Sequence, residues 1–320
     1  MTKSIWILAD DRPGHVAQSI GLAEKLGAPY EIKKLEFNFL AQLPNQLLYN
    51  FTAGLTVSCK NKIKGPYPDL VIATGRKTAP VAQHIKNKSE GKTKIIQIMH
   101  PDMKGLAAFD LICLPKHDRH ELKSNFLEII GAPNKITPKF LAQNRARYLD
   151  KYKKLGERKI ALIVGGATKR RVFTAEMAQK LGKEINEVAV QEQAGLLITT
   201  SRRTGVEATK ALLNEITQPA IVYCWGDEGE NPYFAFLACA DKIIVTGDSV
   251  SMCGEACSTG KPVYIYAPKE MVSAKHQRMV MSFIQGHHAF LFDGNCQKGE
   301  VTPLDCTMKI IERIKQDGLF

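Results

Sequence analysis

Thr246-Gly247-Asp248-Ser249-Val250-Ser251-Met252-Cys253-Gly254-Glu255-Ala256 is the stretch on which the fold turns. The apolar run Lys242–Thr246 reads as a strand, Gly247 as a turn, and Ser251–Ser258 as a helix. Asp248 or Ser249 can cap that helix. The amides near Ser251 and Met252 then face an anion such as a diphosphate, aided by the helix dipole. Glu255 lies one turn on, placed to accept hydrogen bonds from ribose hydroxyls. An ordinary capped helix with a surface glutamate would look similar. Gly260-Lys261-Pro262, which closes the helix and leads into a strand at Pro262–Tyr266, favours the functional reading.

The same strand–loop–helix unit recurs on both sides. Upstream, Lys159–Val164, Leu196–Thr200 and Ala220–Tyr223 read as strands, and Phe173–Glu187 and Tyr233–Ala240 as helices. The first half repeats the order. Ile5–Ala9, Asp69–Ala73, Lys94–Met99 and Asp110–Leu114 are strands, and Val16–Leu26 and Thr78–Ile85 are helices. Such alternation predicts α/β architecture with parallel sheets covered on both faces. Thr137–Gly156, rich in Arg and Lys, reads as a helical connector. The expectation is two doubly wound domains, 1–150 and 151–303, facing a cleft, with the last helix within 304–320 returning to the first domain.

Ligands of open α/β sheets bind beyond the carboxyl ends of the strands, so those ends supply the candidates. In the first half they are Asp10-Asp11-Arg12-Pro13-Gly14-His15, Gly75-Arg76-Lys77-Thr78, His100-Pro101-Asp102 and Pro115-Lys116-His117-Asp118. His15, at the head of a helix, is the candidate general base, with Asp11 or Asp102 as alternatives. Arg76 beside free helix amides suits an anion. In the second half, Gly165-Gly166-Ala167-Thr168 lets backbone approach a phosphate closely. Ser201-Arg202-Arg203-Thr204 adds two cations. Neither a P-loop ending nor a G-x-G-x-x-G fingerprint is present, which disfavours a P-loop NTPase and a nicotinamide dehydrogenase.

Composition sets wider bounds. The chain has 320 residues and a formal net charge of +12. Residues 1–150 hold 22 Lys and Arg against 13 Asp and Glu, so most of the excess is N-terminal. That charge suits an anionic acceptor, a membrane surface or nucleic acid, or is a solvated surface. Leu40, Leu43, Leu47, Leu48, Phe51 and Leu55 recur at helical spacing ahead of Lys60, Lys62 and Lys64, a pattern fit for core or for docking on anionic lipid. The eight cysteines contain no C-x-x-C pair and complete no metal-ligand set, so a reduced, cytoplasmic setting and no bound metal are expected. No run of about 20 apolar residues predicts a membrane span.

Thr246–Tyr266 resembles the donor-site signature of GT-B glycosyltransferases, closest to the transferase that adds N-acetylglucosamine in lipid II synthesis. Pro13-Gly14-His15 looks like that enzyme's acceptor-facing glycine loop, with Ala17-Gln18 standing where an Asn-Gln pair is expected. Gly165-Gly166 resembles its second glycine loop, and Gln277 falls where that group contacts the donor. The whole chain is similar to the mitochondrial fission ELM family, on Pro68–Pro80, Gln97–Asp118, Ser201–Thr204, Asn231–Leu237 and Asp248–Pro262. The resemblance implies transfer of a sugar from a nucleotide-sugar to an anionic glycan or lipid-linked acceptor, such as a lipooligosaccharide core. It implies no further cofactor, no nucleic acid, and a location in the cytoplasm or on the inner face of the membrane. A 2-epimerase of nucleoside-diphosphate-sugars and a non-enzymatic membrane scaffold are the rival readings.

Overall fold

The computed structural model describes residues 3–47, 52–296 and 299–320. The chain divides into two compact units, Met1–Lys135 with Asp305–Phe320, and Ile136–Leu304.

The first unit contains β1 (Ile5–Ala9), α1 (Pro13–Leu26), β2 (Tyr30–Lys34), α2 (Val57–Lys62), β3 (Leu70–Thr74), α3 (Ala79–Lys88), β4 (Lys94–Ile98), β5 (Leu111–Pro115) and β6 (Phe126–Ile129). Its six strands are all parallel, in the order β2-β1-β3-β4-β5-β6. β1, β3 and β5 are buried end to end, which is why they read as unbroken apolar runs rather than alternating ones. Successive side chains nevertheless go to opposite faces. Trp6, Leu8, Val71, Ala73 and Ile95 meet Val81, Ala82 and Ile85 of α3. Ile5, Ile7, Leu70, Ile72 and Ile96 meet Leu22 of α1 together with Ile310, Ile311 and Ile314.

The second unit contains α4 (Pro138–Tyr148), β7 (Arg158–Val164), α5 (Ala175–Glu192), β8 (Ala194–Thr200), α6 (Val206–Asn214), β9 (Ala220–Tyr223), α7 (Tyr233–Cys239), β10 (Lys242–Thr246), α8 (Val250–Cys257), β11 (Val263–Tyr266), α9 (Ala274–Gln285) and β12 (Phe290–Leu291). Its strands are again parallel, in the order β12-β11-β10-β7-β8-β9. Two doubly wound, six-stranded parallel sheets make this an α/β protein of GT-B type. The last helix, α10 (Cys306–Gln316), supplies the three isoleucines that cover the first sheet.

The structure moves one boundary and dissolves one helix. The division falls after Lys135 rather than after residue 150. The reason is aromatic: Phe140 of α4 meets Phe234 of α7 edge-on at 5.3 Å, and Tyr152 meets Phe236 at 5.7 Å. These rings sit among arginines and lysines, so the stretch read as a connector is an amphipathic layer of the second unit. The stripe from Leu40 to Leu55 is not one helix. Its described part forms two short 3-10 turns, Phe39–Gln42 and Asn45–Leu47, because Pro44 disfavours helical backbone in the residue before it. Leu55 is buried, whereas Leu43 and Leu47 are exposed. Leu48 and Phe51 lie outside the described residues.

Candidate functional site

Strand order reverses once in each sheet, between β1 and β3 in the first and between β7 and β10 in the second. At such a point the neighbouring loops depart toward opposite faces and leave a crevice at the carboxyl edge.

In the first sheet that crevice holds His15. Asp10 follows β1, and its side chain is almost wholly buried. Its Oδ1 accepts from the Arg12 amide at 3.0 Å, and its Oδ2 accepts from His15 Nδ1 at 2.8 Å. A neutral imidazole that donates through Nδ1 presents Nε2 as a proton acceptor. The ring lies against Gly75, the residue after β3. A Cβ there would come within 2.5 Å of His15 Cε1, and Gly75 has φ +81°. Gly14 forms the exposed first turn of α1. Gln18, three residues beyond His15, is buried, and its Oε1 has no hydrogen-bond partner among the described residues.

The other first-unit candidates are less favourably placed. Asp11 is exposed and pairs with Lys77 at 2.9 Å. That hydrogen bond and charge hold its carboxyl below the usual range, which makes it a poor base. Asp102, at φ +50°, pairs with His100 at 2.9 Å, and His100 stacks on His120 at 4.5 Å. His117 is buried, 3.7 Å from Asp118. His100 and Asp102 follow β4 and His117 follows β5, farther along the sheet than the reversal. Arg76 does not offer a free guanidinium to an anion. It donates to the Leu43 carbonyl at 2.7 Å, the Ala41 carbonyl at 3.2 Å and Asn45 Oδ1 at 3.2 Å, and so holds the two 3-10 turns in place.

The crevice of the second sheet is organised around Asp248, which the sequence pattern offered only as a helix cap. Its carboxylate is buried, pairs with Arg203 at 2.6 Å and accepts from the Gly166 amide at 3.1 Å. Its Oδ1 has no hydrogen-bond partner among the described residues. The glycine loop therefore works differently from the expectation. The Gly165 amide donates to Thr246 Oγ1 at 2.7 Å, and the Gly166 amide serves Asp248, so neither points at a ligand. Glycine is required here because a Cβ on Gly165 would strike the Asp248 carboxylate and one on Gly166 the Arg203 backbone. Thr168 pairs with Arg171 in a tight turn. Ser201 donates to the Gly165 carbonyl and accepts from the Arg203 amide, a structural role. Arg202 is exposed and makes no ion pair among the described residues.

At α8 the cap is Ser249, which accepts from Met252 at 3.4 Å. The Met252 amide is thus occupied. The amides of Val250 and Ser251 precede the first helical bond, from Cys253 to Ser249 at 3.1 Å, and are the ones left for an anion. Glu255 accepts from Tyr233 at 2.6 Å, and burial together with the Glu255 charge pushes that phenol well up, keeping it a donor. Gln277 is half-buried in the first turn of α9, beside His276. Burial lowers the His276 imidazole below its usual value, Lys275 and Arg203 act the same way, and Asp248 opposes them. His276 thus belongs to the Asp248–Arg203 neighbourhood. Among the described residues no three His, Cys, Asp or Glu converge as a metal set, and no helix is long and apolar enough to cross a membrane.

Sequence reasoning placed Asp10 in a candidate loop without giving it a role, and it missed His276, Tyr233 and the orienting role of Asp248. Asp10 adjoins Asp11, and His276 adjoins Gln277, so the signal was present but one residue off. Side-chain direction, which spacing in a loop does not reveal, decided between neighbours.

Comparison with known proteins agrees with the fold. A UDP-GlcNAc 2-epimerase from Methanocaldococcus jannaschii superposes with a TM-score of 0.57 at 12% identity, covering 98% of this chain and 99% of that one. The glycosyltransferase SnogD from Streptomyces nogalater superposes with a TM-score of 0.50 at 13% identity, covering 99% and 95%. In sequence, the chain is 33% identical to the uncharacterised protein RP120 of Rickettsia prowazekii (strain Madrid E) over 98% of both chains. It is 26% identical to the mitochondrial fission protein ELM1 of Arabidopsis thaliana, over 78% of this chain and 64% of that one. Residues 13–317 match the family model described as mitochondrial fission ELM1. The chain belongs to the mitochondrial fission ELM1 family.

Proposed function

We propose that this chain transfers a sugar from a nucleotide-sugar to an anionic glycan or lipid-linked acceptor, and needs no cofactor besides that donor. The observation that carries the reading is the His15–Asp10 pair set on Gly75 where the first sheet reverses. A buried carboxylate that fixes Nδ1–H leaves Nε2 to take the proton from an acceptor hydroxyl. The deprotonated oxygen attacks the anomeric carbon, and the bond from that carbon to the phosphate oxygen breaks, with its electron pair leaving on the diphosphate. The free first-turn amides of α8 and the Arg202 guanidinium suit the charge that develops there. A fold neighbour named for UDP-GlcNAc supports testing UDP-sugars first.

The purified chain is incubated with UDP-, GDP-, ADP- and CMP-sugars, and nucleotide release and sugar identity are followed. Asp10→Asn and His15→Gln are each expected to cut turnover about 100-fold while leaving donor affinity unchanged. Wild-type turnover in both variants would remove the base. An epimerised sugar formed without acceptor would replace transfer by 2-epimerisation, and no binding of any donor would end the reading altogether.

A further inference from the structure

Among the described aromatic side chains of the second unit, Trp225 is the most exposed, at 61%. That exposure is held by structure. The Trp225 amide donates to Thr200 Oγ1 at 3.0 Å, which ties the turn after β9 to the end of β8. Within the turn, the Cys224 amide donates to the Asp227 carboxylate at 2.7 Å, the Asp227 amide donates back to the Cys224 carbonyl at 3.1 Å, and the Tyr223 hydroxyl donates to the Asp227 carbonyl at 3.0 Å. An aromatic ring mounted on a rigid turn loses little freedom when something stacks on it.

Beside the indole lies a cavity of about 360 Å³, lined mainly by apolar surface that includes Val206, Leu213 and Cys224. Arg202 and Lys210 line it as well, and no acidic residue does among the described residues. Neither cation has an ion pair or a hydrogen bond among the described residues. An apolar slot with an aromatic wall and two unengaged cations fits a ligand that joins a flat ring to a phosphate. The Arg202 edge of the cavity is continuous with the glycine loop, since its neighbour Ser201 donates to the Gly165 carbonyl.

We propose that this cavity is the base subsite: the nucleobase stacks on Trp225 and Arg202 meets the phosphate of the same nucleotide. The proposal rests on the nucleotide-sugar reading above and names residues that reading does not use for the base. Aromatic stacking of this kind accepts any base face, so Trp225 contributes affinity, and preference among bases falls to the polar groups around it.

The chain has two tryptophans. Trp6 is buried in the first unit beneath Lys33, so emission open to iodide belongs to Trp225. The full chain is titrated with UDP, GDP and ADP, with pyrophosphate as the base-free control. The nucleotides should quench emission saturably and shield it from iodide, and pyrophosphate should do neither. By calorimetry Trp225→Leu should weaken nucleotide binding about tenfold, and Trp225→Phe by no more than about threefold, as stacking predicts. Pyrophosphate affinity should be unchanged in both, and circular dichroism should be unaltered because the side chain is largely in solvent. If nucleotides bind while Trp225 stays open to iodide and Trp225→Leu keeps wild-type affinity, the subsite falls and the donor reading stands. If no nucleotide binds the wild type, the donor reading falls and takes the subsite with it.

Discussion

Gly75 and His15 depend on each other more closely than on anything adjacent in sequence. The glycine combines a left-handed backbone with a bare face against which the imidazole lies. Gly75→Ala adds a methyl group at the ring and strains the backbone, an expected loss of about 1–3 kcal/mol in urea unfolding. A midpoint unchanged from wild type would mean that the ring does not rest there. Asp248 is the counterpart in the second sheet. Asp248→Ala leaves Arg203 without its carboxylate and Gly166 without its acceptor. Removing one partner of a fully buried pair costs about 3–5 kcal/mol. Arg203 is one-third exposed and stays partly hydrated, so about 2 kcal/mol is the expected loss, again read from the denaturant midpoint. Both residues were visible in the sequence as types suited to a strand end. Their directions were not, since a loop residue's partner is chosen by folds of chain that arrive 60 to 82 positions later, as Gly75 does for His15 and Asp248 for Gly166.

The helices show where periodicity suffices and where it misleads. α5 buries Leu181, Ile185, Val188 and Ala189 on one stripe and opens with Thr174 accepting from Met177 at 3.2 Å. Thr174→Ala should cost about 1 kcal/mol through the lost cap, measured by thermal or urea unfolding with helicity otherwise intact. A cost near zero would show the first turn to be frayed already. β1 and β10 fall where their apolar runs placed them, because a strand buried on both faces needs little beyond such a run. α4 was legible as a helix but not as a layer, since its Arg and Lys residues mask the rings it buries. The leucine stripe misled in the opposite way: spacing alone carried no account of Pro44, or of Arg76 reaching across to hold the turns.

Burial of titratable groups throughout the chain sets its response to alkali. Burial pushes the Cys296 and Cys306 thiols, and the Tyr264 and Tyr266 phenols, up to about 12. Burial raises Cys113 and Cys253 as well. Below the ordinary thiol value of 9.0 these groups are protonated in both folded and unfolded chains, and their contribution to stability is complete. As the pH climbs from 9 toward 12 only the unfolded chain ionises freely, and the contribution is lost. Lys261 runs the other way. Burial, then Arg145, lower it to about 8, so its charge costs stability below that value, and the cost is relieved as the pH approaches 10.5. Several thiols and phenols outweigh one ammonium, so Tm should be level or rise slightly to about pH 9 and then fall. A Tm still rising at pH 10.5 would contradict the burial of these groups.

From the amino-acid order alone came the α/β class, the two parallel sheets and the strand ends that supply the candidate residues, because hydrophobic periodicity is a local property that burial on two faces imposes directly. Folding in space chose Asp10 over Asp11 as the partner of His15, took Arg76 and the Gly166 amide out of ligand duty, and mounted Trp225 beside a cavity. Those outcomes depend on which strands become neighbours when the sheet order reverses, and on the angle at which each side chain leaves its loop. Neither quantity is carried by spacing along the chain.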